Sequence, residues 1–246
     1  RVSLAEDTHE GYQTATVDLP KAEAAAVMAR GRGLVLAGHT VSSTCGPKLP
    51  RTLVRAARTD EARRMRKSSV GFMRDRTRSD DEGQWSLTPE RIAVTMANGT
   101  KGKKVVDATC GVGGNAIAFA RAGAEVTAIE SNPDRLSDAR HNARRYRVEI
   151  RFLRGKAQER LPELEPDLIF VDPPWAGFTR EACVLTDLPP LVEVLAFAKK
   201  TGVEAWAKVP PSFDPSSVPN ATVKAVFGVG EGDKHRIKFL WLKVPV

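Results

Sequence analysis

The chain has 246 residues, of which 41% are hydrophobic and 28% charged, a globular composition that excludes a disordered or fibrous protein. This length allows one α/β domain with a modest extension. No apolar run approaches the roughly 18 residues of a membrane span, which excludes a transmembrane enzyme. Cys45, Cys110 and Cys183 are widely spaced without metal-type pairing, so we expect a reducing compartment, the cytoplasm, or the nucleus in a eukaryote.

The formal net charge of +8 is concentrated towards the N-terminus. Residues 1–80 contain 15 Lys and Arg against 9 Asp and Glu, whereas residues 81–246 contain 23 against 21. Between residues 47 and 78 the chain has 11 basic and 3 acidic residues. Such a cluster can neutralise phosphates, which makes RNA an expected partner. The alternative is a solvated basic helix face that only aids solubility.

The N-terminal third is predicted to contain short elements followed by a polar segment. Two helices and one strand are predicted before a polar linker: helices over 21–30 and 51–66, a strand over 34–38, and the linker over 74–84. We therefore divide the chain into a small basic N-terminal region, residues 1–80, which is a candidate for substrate docking, and a second domain, residues 81–246.

From Trp85 onward, apolar strands alternate with helices. The predicted helices cover 89–98, 114–122 and 132–145, and the predicted strands cover 103–108, 124–130, 148–153, 167–172, 203–209, 221–228 and 237–244. This alternation predicts an α/β fold with a doubly wound, mostly parallel sheet. The last two strands are joined by a Gly-rich turn too short for a crossover helix, so we expect an antiparallel hairpin at one edge.

A glycine-rich stretch, Asp107-Ala-Thr-Cys-Gly-Val-Gly-Gly-Asn115, joins the first of these strands to a helix. Its glycines allow a ligand to approach the backbone, and the helix N-terminus offers free N–H groups to an anionic moiety. Glu130 ends the next strand, where a carboxylate can accept hydrogen bonds from ribose hydroxyls. Gly111-x-Gly113-x-x-Ala116 also satisfies the dinucleotide fingerprint, so a nicotinamide enzyme is an alternative, as is a turn without a ligand.

A second motif, Asp172-Pro-Pro-Trp175, follows the fourth predicted strand of this domain. The carboxyl ends of strands in an open α/β sheet form the ligand crevice, so this motif and the glycine loop can face one pocket. Such a pocket suits methylation of an exocyclic base amine, whose lone pair is conjugated into the ring. Asp172 and the Pro173 carbonyl can accept the two N–H bonds, and Trp175 offers a stacking face worth about 1–3 kcal/mol. A dehydrogenase has no use for this motif, and an incidental turn is the remaining alternative.

Four segments together resemble the trimethylguanosine synthase family of class I S-adenosylmethionine-dependent methyltransferases, which methylate the guanine N2 of 7-methylguanosine caps. They are DDEGQWSLTPERIA (80–93), VDATCGVGGNAIAFA (106–120), VTAIESNPDRLSDARHNA (126–143) and LIFVDPPWAG (168–177). The resemblance runs from about residue 80 to the C-terminus. It implies a Rossmann-like methyltransferase fold, S-adenosyl-L-methionine as cofactor and methylation of RNA.

The resemblance also implies roles for individual residues. The methionine end of the cofactor would be held by Asp107, Gly111, Gly113 and Asn115, its ribose by Glu130, and Thr88 and Pro89 would lie over the pocket. Asp172, Pro173 and Trp175 would engage the acceptor base, and a positively charged 7-methylguanine would add a cation–π contact with Trp175. Phe178 and Arg180 follow closely enough to line the acceptor pocket, with a surface loop as the alternative.

These observations favour an N-methyltransferase acting on the exocyclic N2 of guanosine in RNA. A methyltransferase of the same fold acting on a small molecule or a protein amine is one alternative. A non-catalytic RNA-binding module is another. Transfer by direct displacement needs no metal, and the four histidines are scattered, so no metal site is expected.

Overall fold

A computed structural model describes residues 2–7, 12–64, 68–175 and 182–245. The N-terminal part contains two small hairpins and two helices. Its elements are β1 (Val2–Asp7), β2 (Tyr12–Val17), α1 (Lys21–Gly31), β3 (Val35–Leu36), β4 (His39–Thr40) and α2 (Arg51–Arg64). The predicted helices are therefore present, whereas the antiparallel β1–β2 hairpin falls in a stretch where the sequence shows no clear period.

The remaining elements form a seven-stranded sheet with helices on both faces. They are α3 (Asp81–Ser86), α4 (Glu90–Met96), β5 (Lys104–Asp107), α5 (Gly114–Arg121), β6 (Glu125–Glu130), α6 (Pro133–Tyr146), β7 (Arg151–Arg154), α7 (Ala157–Arg160), β8 (Leu168–Val171), α8 (Pro189–Thr201), β9 (Glu204–Val209), β10 (Thr222–Phe227) and β11 (Ile237–Val244). The strand order is β10-β11-β9-β8-β5-β6-β7. Strands β5 to β9 are parallel, and β11 is antiparallel to both of its neighbours. The predicted α/β class, doubly wound sheet and antiparallel edge hairpin are confirmed.

Strand β8 shows why this sheet is covered on both sides. Leu168 and Phe170 belong to one core cluster, and Ile169 and Val171 belong to another on the opposite face. All four side chains are fully buried. Successive strand residues point to opposite faces, so a continuous apolar run requires helices on both.

Helix α8, Pro189–Thr201, supplies part of that cover and is missing from the predicted elements. Its first turn holds two prolines, which fit there because the first helical N–H groups have no partner within the helix. Leu191, Val194 and Ala198 are its buried face, at the three- and four-residue spacing of a helix. Two adjacent prolines are typical of a loop, so the local sequence does not predict this helix.

The β3–β4 hairpin lies against the segment that follows β9. The N–H of Ala37 donates to the carbonyl of Pro211 at 2.8 Å, and the N–H of Gly38 donates to that of Ser212 at 3.1 Å. The N-terminal region therefore packs beside the carboxyl end of the sheet.

Residues 68–80, here called the strap, cross the domain surface. Ser69 donates to the buried Asp233, the N–H of Arg74 donates to the hydroxyl of Tyr146, and the N–H of Arg78 donates to Asn142. The linker predicted over 74–84 needs correction, because these contacts tie down its first half and α3 begins at Asp81. Its backbone N–H groups at Arg74 and Arg78 form hydrogen bonds with the domain, while most of its polar side chains are exposed. The domain boundary at residue 80 stays a prediction.

Within the described ranges, no helix is long and apolar enough to cross a membrane. Cys45 is half-buried and Cys110 and Cys183 are buried, and none of the three forms a disulfide.

Candidate active site

A cavity of about 680 Å³ opens where the parallel strands end, and both sequence motifs reach it. Its wall includes seven of the predicted site residues: Thr88, Gly111, Asn115, Glu130, Asp172, Pro173 and Trp175. They come from the carboxyl ends of β5, β6 and β8 and from the segment after α3. The parallel topology thus gathers residues that are up to 87 positions apart in the sequence.

The glycine loop after β5 has a backbone that only glycine adopts readily. Gly111 and Gly113 have φ values of +53° and +92°. A Cβ on Gly113 would lie 3.2 Å from the Cβ of Ala139 in α6, whereas a Cβ on Gly111 would meet nothing within 4 Å. Gly113 is therefore needed for packing behind the wall, and Gly111 leaves its side of the cavity open.

Helix α3 and the residues after it cover this loop. A Cβ on Gly83 would lie 3.2 Å from Cγ1 of Val112, and a Cβ on Gly114 would lie 2.3 Å from Cδ1 of Leu87. The next residue, Thr88, is buried, and no described atom forms a hydrogen bond with its hydroxyl. This hydroxyl is available to a ligand in the cavity.

Glu130 links the end of β6 to the glycine loop. The N–H of Gly111 donates to Oε2 at 2.9 Å, and the N–H of Asn132 donates to Oε1 at 2.8 Å. A carboxylate oxygen has two lone pairs, so Oε2 can accept a further bond from the cavity side, and Oε1 can do so in place of its long 3.5 Å bond from the Ser131 hydroxyl. Two adjacent ribose hydroxyls match this capacity.

Asp172 forms an ion pair with Lys208, a residue absent from the predicted site. Nζ of Lys208 lies 2.7 Å from Oδ2 of Asp172 and 2.6 Å from the carbonyl oxygen of Ser86. The N–H of Asp172 donates to Oγ1 of Thr109 at 2.8 Å, which fixes the start of the motif against the glycine loop. Burial raises the pKa of Asp172, and the neighbouring ammonium of Lys208 opposes that rise.

Asp107 ends β5 immediately below the cavity rather than on its wall. Its side chain is buried, Oδ1 accepts a 3.4 Å bond from the N–H of Thr109, and no described atom bonds to Oδ2. Burial raises its pKa to about 8, with a further contribution from the negative charge of Asp172. Burial and the negative charge of Asp172 thus favour the protonated form of this carboxyl group.

The structure does not bring every predicted residue to the cavity wall. Pro89, Asp107 and Gly113 lie outside the wall residues, and Phe178 and Arg180 lie outside the described residues. The roles expected for all of these residues stay predictions. No group of three or more His, Cys, Asp or Glu suited to a metal ion occurs in the part of the chain that the structure describes.

Two further residues, one on the cavity wall and one behind it, were missed from the sequence. Arg135 of α6 lines the cavity and pairs with Asp80 and Glu82, which anchors α3. Lys208 lies behind the wall residue Asp172, in the mostly apolar strand Val-Glu-Ala-Trp-Ala-Lys-Val, and is only 3% exposed. One lysine in a buried strand next to the site was a signal, since a buried ammonium needs a partner.

The sequence model of one family, described as RNA cap guanine-N2 methyltransferase, matches residues 102–187. This segment, 86 of the 246 residues, resembles that methyltransferase family. The matched segment contains the glycine loop, Glu130 and the Asp172 motif.

Two relatives show how far the sequence likeness extends. An uncharacterized RNA methyltransferase of Gloeobacter violaceus is 41% identical over 88 residues, which are 35% of this chain and 19% of that protein. Trimethylguanosine synthase of Schizosaccharomyces pombe is 29% identical over 148 residues, with 51% of this chain and 62% of that protein covered. The chain thus spans less than two thirds of either relative.

Solved structures agree on the methyltransferase fold. A protein of Porphyromonas gingivalis W83, named as a candidate methyltransferase, aligns with a TM-score of 0.58 and 19% identity over 94% of this chain and 59% of its own. Precorrin-6y C5,15-methyltransferase of Geobacter metallireducens aligns with a TM-score of 0.52 and 12% identity over 71% of this chain and 98% of its own. The first alignment extends over most of the N-terminal region as well.

Proposed function

We propose that the chain transfers a methyl group from S-adenosyl-L-methionine to the exocyclic N2 of guanosine in RNA. The observation that carries this proposal is the meeting of the glycine loop and the Asp172-Pro-Pro-Trp175 motif in one cavity. The family described as RNA cap guanine-N2 methyltransferase supports the same chemistry. The S. pombe relative is named for guanosine methylation, and the G. violaceus relative for RNA methylation.

The residues at the cavity fit S-adenosylmethionine, which supplies an electrophilic methyl group when bound. Glu130 has lone pairs for the ribose hydroxyls, and Gly111 leaves room for a close approach to the backbone. The unpartnered Thr88 hydroxyl suits a polar group of the methionine part, and the positive charge of that part would favour the ionised form of Asp107, whose Oδ2 has no partner among the described atoms. We assign these four residues to cofactor binding, with Asn115 beside them on the wall.

The other half of the cavity suits an aromatic amine. Lys208 engages Oδ2 of Asp172, so we assign Oδ1 and the carbonyl of Pro173 to the two N–H bonds of the acceptor. Accepting those bonds turns the nitrogen lone pair towards the methyl group. Trp175 is the stacking surface for the base, and its buried Nε1 has no hydrogen-bond partner among the described atoms. Positioning of this kind supplies much of the rate of a direct displacement.

The exposed arginines of α2 support RNA as the larger substrate. Arg51, Arg55, Arg58, Arg63 and Arg64 are all exposed on this helix. Electrostatic binding of phosphates needs such accessible charges.

The direct test is transfer of labelled methyl groups from S-adenosylmethionine into a cell extract that is then separated into RNA, protein and small molecules. Label recovered from digested RNA as N2-methylguanosine supports the proposal. Label confined to protein or small molecules would leave the fold assignment unchanged and would overturn RNA as the substrate. RNA binding without label in any fraction and without cofactor affinity indicates a non-catalytic binding module.

A further inference from the structure

We propose that the acceptor is an electrically neutral guanine and that Lys208 disfavours the cationic 7-methylguanine. This inference rests on the proposed N2 methylation of guanosine and specifies which guanine is used. It departs from the cap substrate in the description of the matching family.

The ammonium of Lys208 is fixed behind two wall residues on the acceptor side of the cavity, Asp172 and Trp175. It contacts Oδ2 of Asp172 at 2.7 Å and the Ser86 carbonyl at 2.6 Å, and it lies 4.8 Å from the centre of the Trp175 ring. The side chain is 4% exposed. Leaving this position would break both polar contacts and leave Asp172 as an unpaired buried charge, so the ammonium is a permanent part of the site.

This ammonium removes two attractions that a cationic base would otherwise find. An unpaired carboxylate at Asp172 would attract the positive charge of 7-methylguanine, but the Asp172–Lys208 pair has no net charge. The Trp175 ring would also attract a cation, but it already has the Lys208 ammonium within cation–π distance. A second cation on the same indole meets repulsion from the first.

A neutral guanine can still use both hydrogen-bond acceptors that the site offers to its N2 amine. Its two N–H bonds need acceptors, not a net negative charge. Lys208 helps here, because burial raises the pKa of Asp172 and the ammonium opposes that rise. An ionised Asp172 accepts a hydrogen bond from the amine, whereas a protonated one would donate. Lys208 is thus a positioning residue that also sets specificity.

Lys243 provides a matched control. It lies on β11, which pairs with β9 through Trp241 opposite Lys208 and Lys243 opposite Trp206. Its Nζ lies 4.1 Å and 4.5 Å from the ring centres of Trp206 and Trp241, so it is also a lysine over indole rings. Neither lysine lies on the cavity wall, but Lys208 contacts the wall residues Asp172 and Trp175, whereas Trp206 and Trp241 are not wall residues.

The experiment compares GpppA and 7-methyl-GpppA dinucleotides as acceptors for the wild-type chain, Lys208→Met and Lys243→Met. We expect wild type and Lys243→Met to prefer GpppA by roughly tenfold or more in kcat/KM. Lys208→Met should lose activity on GpppA and reverse or abolish the preference. Calorimetric titration should give a lower Kd for GMP than for 7-methyl-GMP with wild type and Lys243→Met, and Lys208→Met should reverse or abolish this order. A merely structural loss would weaken the binding of both nucleotides and leave their order unchanged.

Two other outcomes separate the inference from the proposed function. Methylation of both dinucleotides by wild type at equal kcat/KM, or a preference for the 7-methylated one, overturns the inference and leaves the proposed function standing. If wild type neither binds nor methylates either dinucleotide or any RNA guanosine, both the inference and the proposed function are overturned. If Lys208→Met fails to fold, the wild-type preference still decides the inference.

Discussion

Asp107 and Asp172 lie at the carboxyl ends of two neighbouring parallel strands, and the negative charge of Asp172 helps to raise the pKa of Asp107 to about 8. Only one of them has a cationic partner, since Lys208 pairs with Asp172. Burial raises the pKa of both carboxyl groups, and only at Asp172 does a neighbouring ammonium oppose that rise.

Stability should fall as the pH rises from about 4 to 8, because the folded chain keeps the Asp107 proton that the unfolded chain has lost. The slope from this residue reaches at most about 1.4 kcal/mol per pH unit. Asp107→Asn cannot titrate, so urea denaturation at pH 5 and pH 7.5 should show a flatter dependence for it than for wild type. Asp75→Asn, at an exposed position, serves as control. Equal slopes for Asp107→Asn and wild type would contradict the raised pKa.

Asp172→Asn should lower kcat for methyl transfer by roughly 100-fold or more, because an amide cannot supply the same acceptor to N2. The affinity for S-adenosylmethionine should stay near the wild-type value. The variant leaves Lys208 unpaired, so the double variant Asp172→Asn, Lys208→Met separates the loss of the acceptor from the effect of a lone buried charge. Turnover at the wild-type rate in Asp172→Asn would remove this role.

Glu130→Gln should weaken S-adenosylmethionine binding by about tenfold or more, since hydrogen bonds to a charged group contribute about 1.5–3 kcal/mol. The change also places an amide NH₂ against the N–H of Gly111 or Asn132. Calorimetric titration measures the Kd, and Glu125→Gln at the exposed start of the same strand is the matched control. A Kd unchanged in Glu130→Gln would exclude the assignment to the ribose.

Asn142→Ala should lower the free energy of unfolding by about 2–4 kcal/mol, because it leaves buried backbone groups without partners. Oδ1 of Asn142 accepts from the N–H of Arg78, and Nδ2 donates to the carbonyls of Arg78 and Val112 at 2.8 and 2.9 Å. One side chain thus joins the strap to the glycine loop. Asn98→Ala, at an exposed site, should change stability little. Equal losses in the two variants, measured by urea denaturation, would contradict this role.

The double variant Arg55→Ala, Arg58→Ala should weaken RNA binding and reduce its salt dependence by about 0.7 in the logarithmic slope per lost contact to single-stranded phosphate. Both arginines are exposed on α2, and alanine preserves the helix. Lys199→Ala, Lys200→Ala removes the same charge from the end of α8 and should leave the slope unchanged. Identical slopes for the two double variants would assign the basic helix to solubility alone.

The sequence by itself determined the fold class and seven residues of the cavity wall, because those signals are local. The apolar run of β8 requires cover on both faces, the glycines of 111–114 mark a turn between strand and helix, and Asp172 directly follows a strand. Parallel topology then brings the strand ends together without further information. The argument from strand ends placed Glu130 and Trp175 at one cavity, and the family resemblance added Thr88; all three lie on the cavity wall.

Only the tertiary structure decided which residues give this cavity its charge. Lys208 is 36 positions from Asp172, and nothing local indicates that its ammonium turns towards that carboxylate. The sequence of the strap likewise predicts a linker, and only the structure shows that its backbone donates hydrogen bonds to Asn142 and Tyr146. In both cases a polar side chain is satisfied by a distant partner, and hydrogen bonding across such distances depends on packing rather than on sequence pattern.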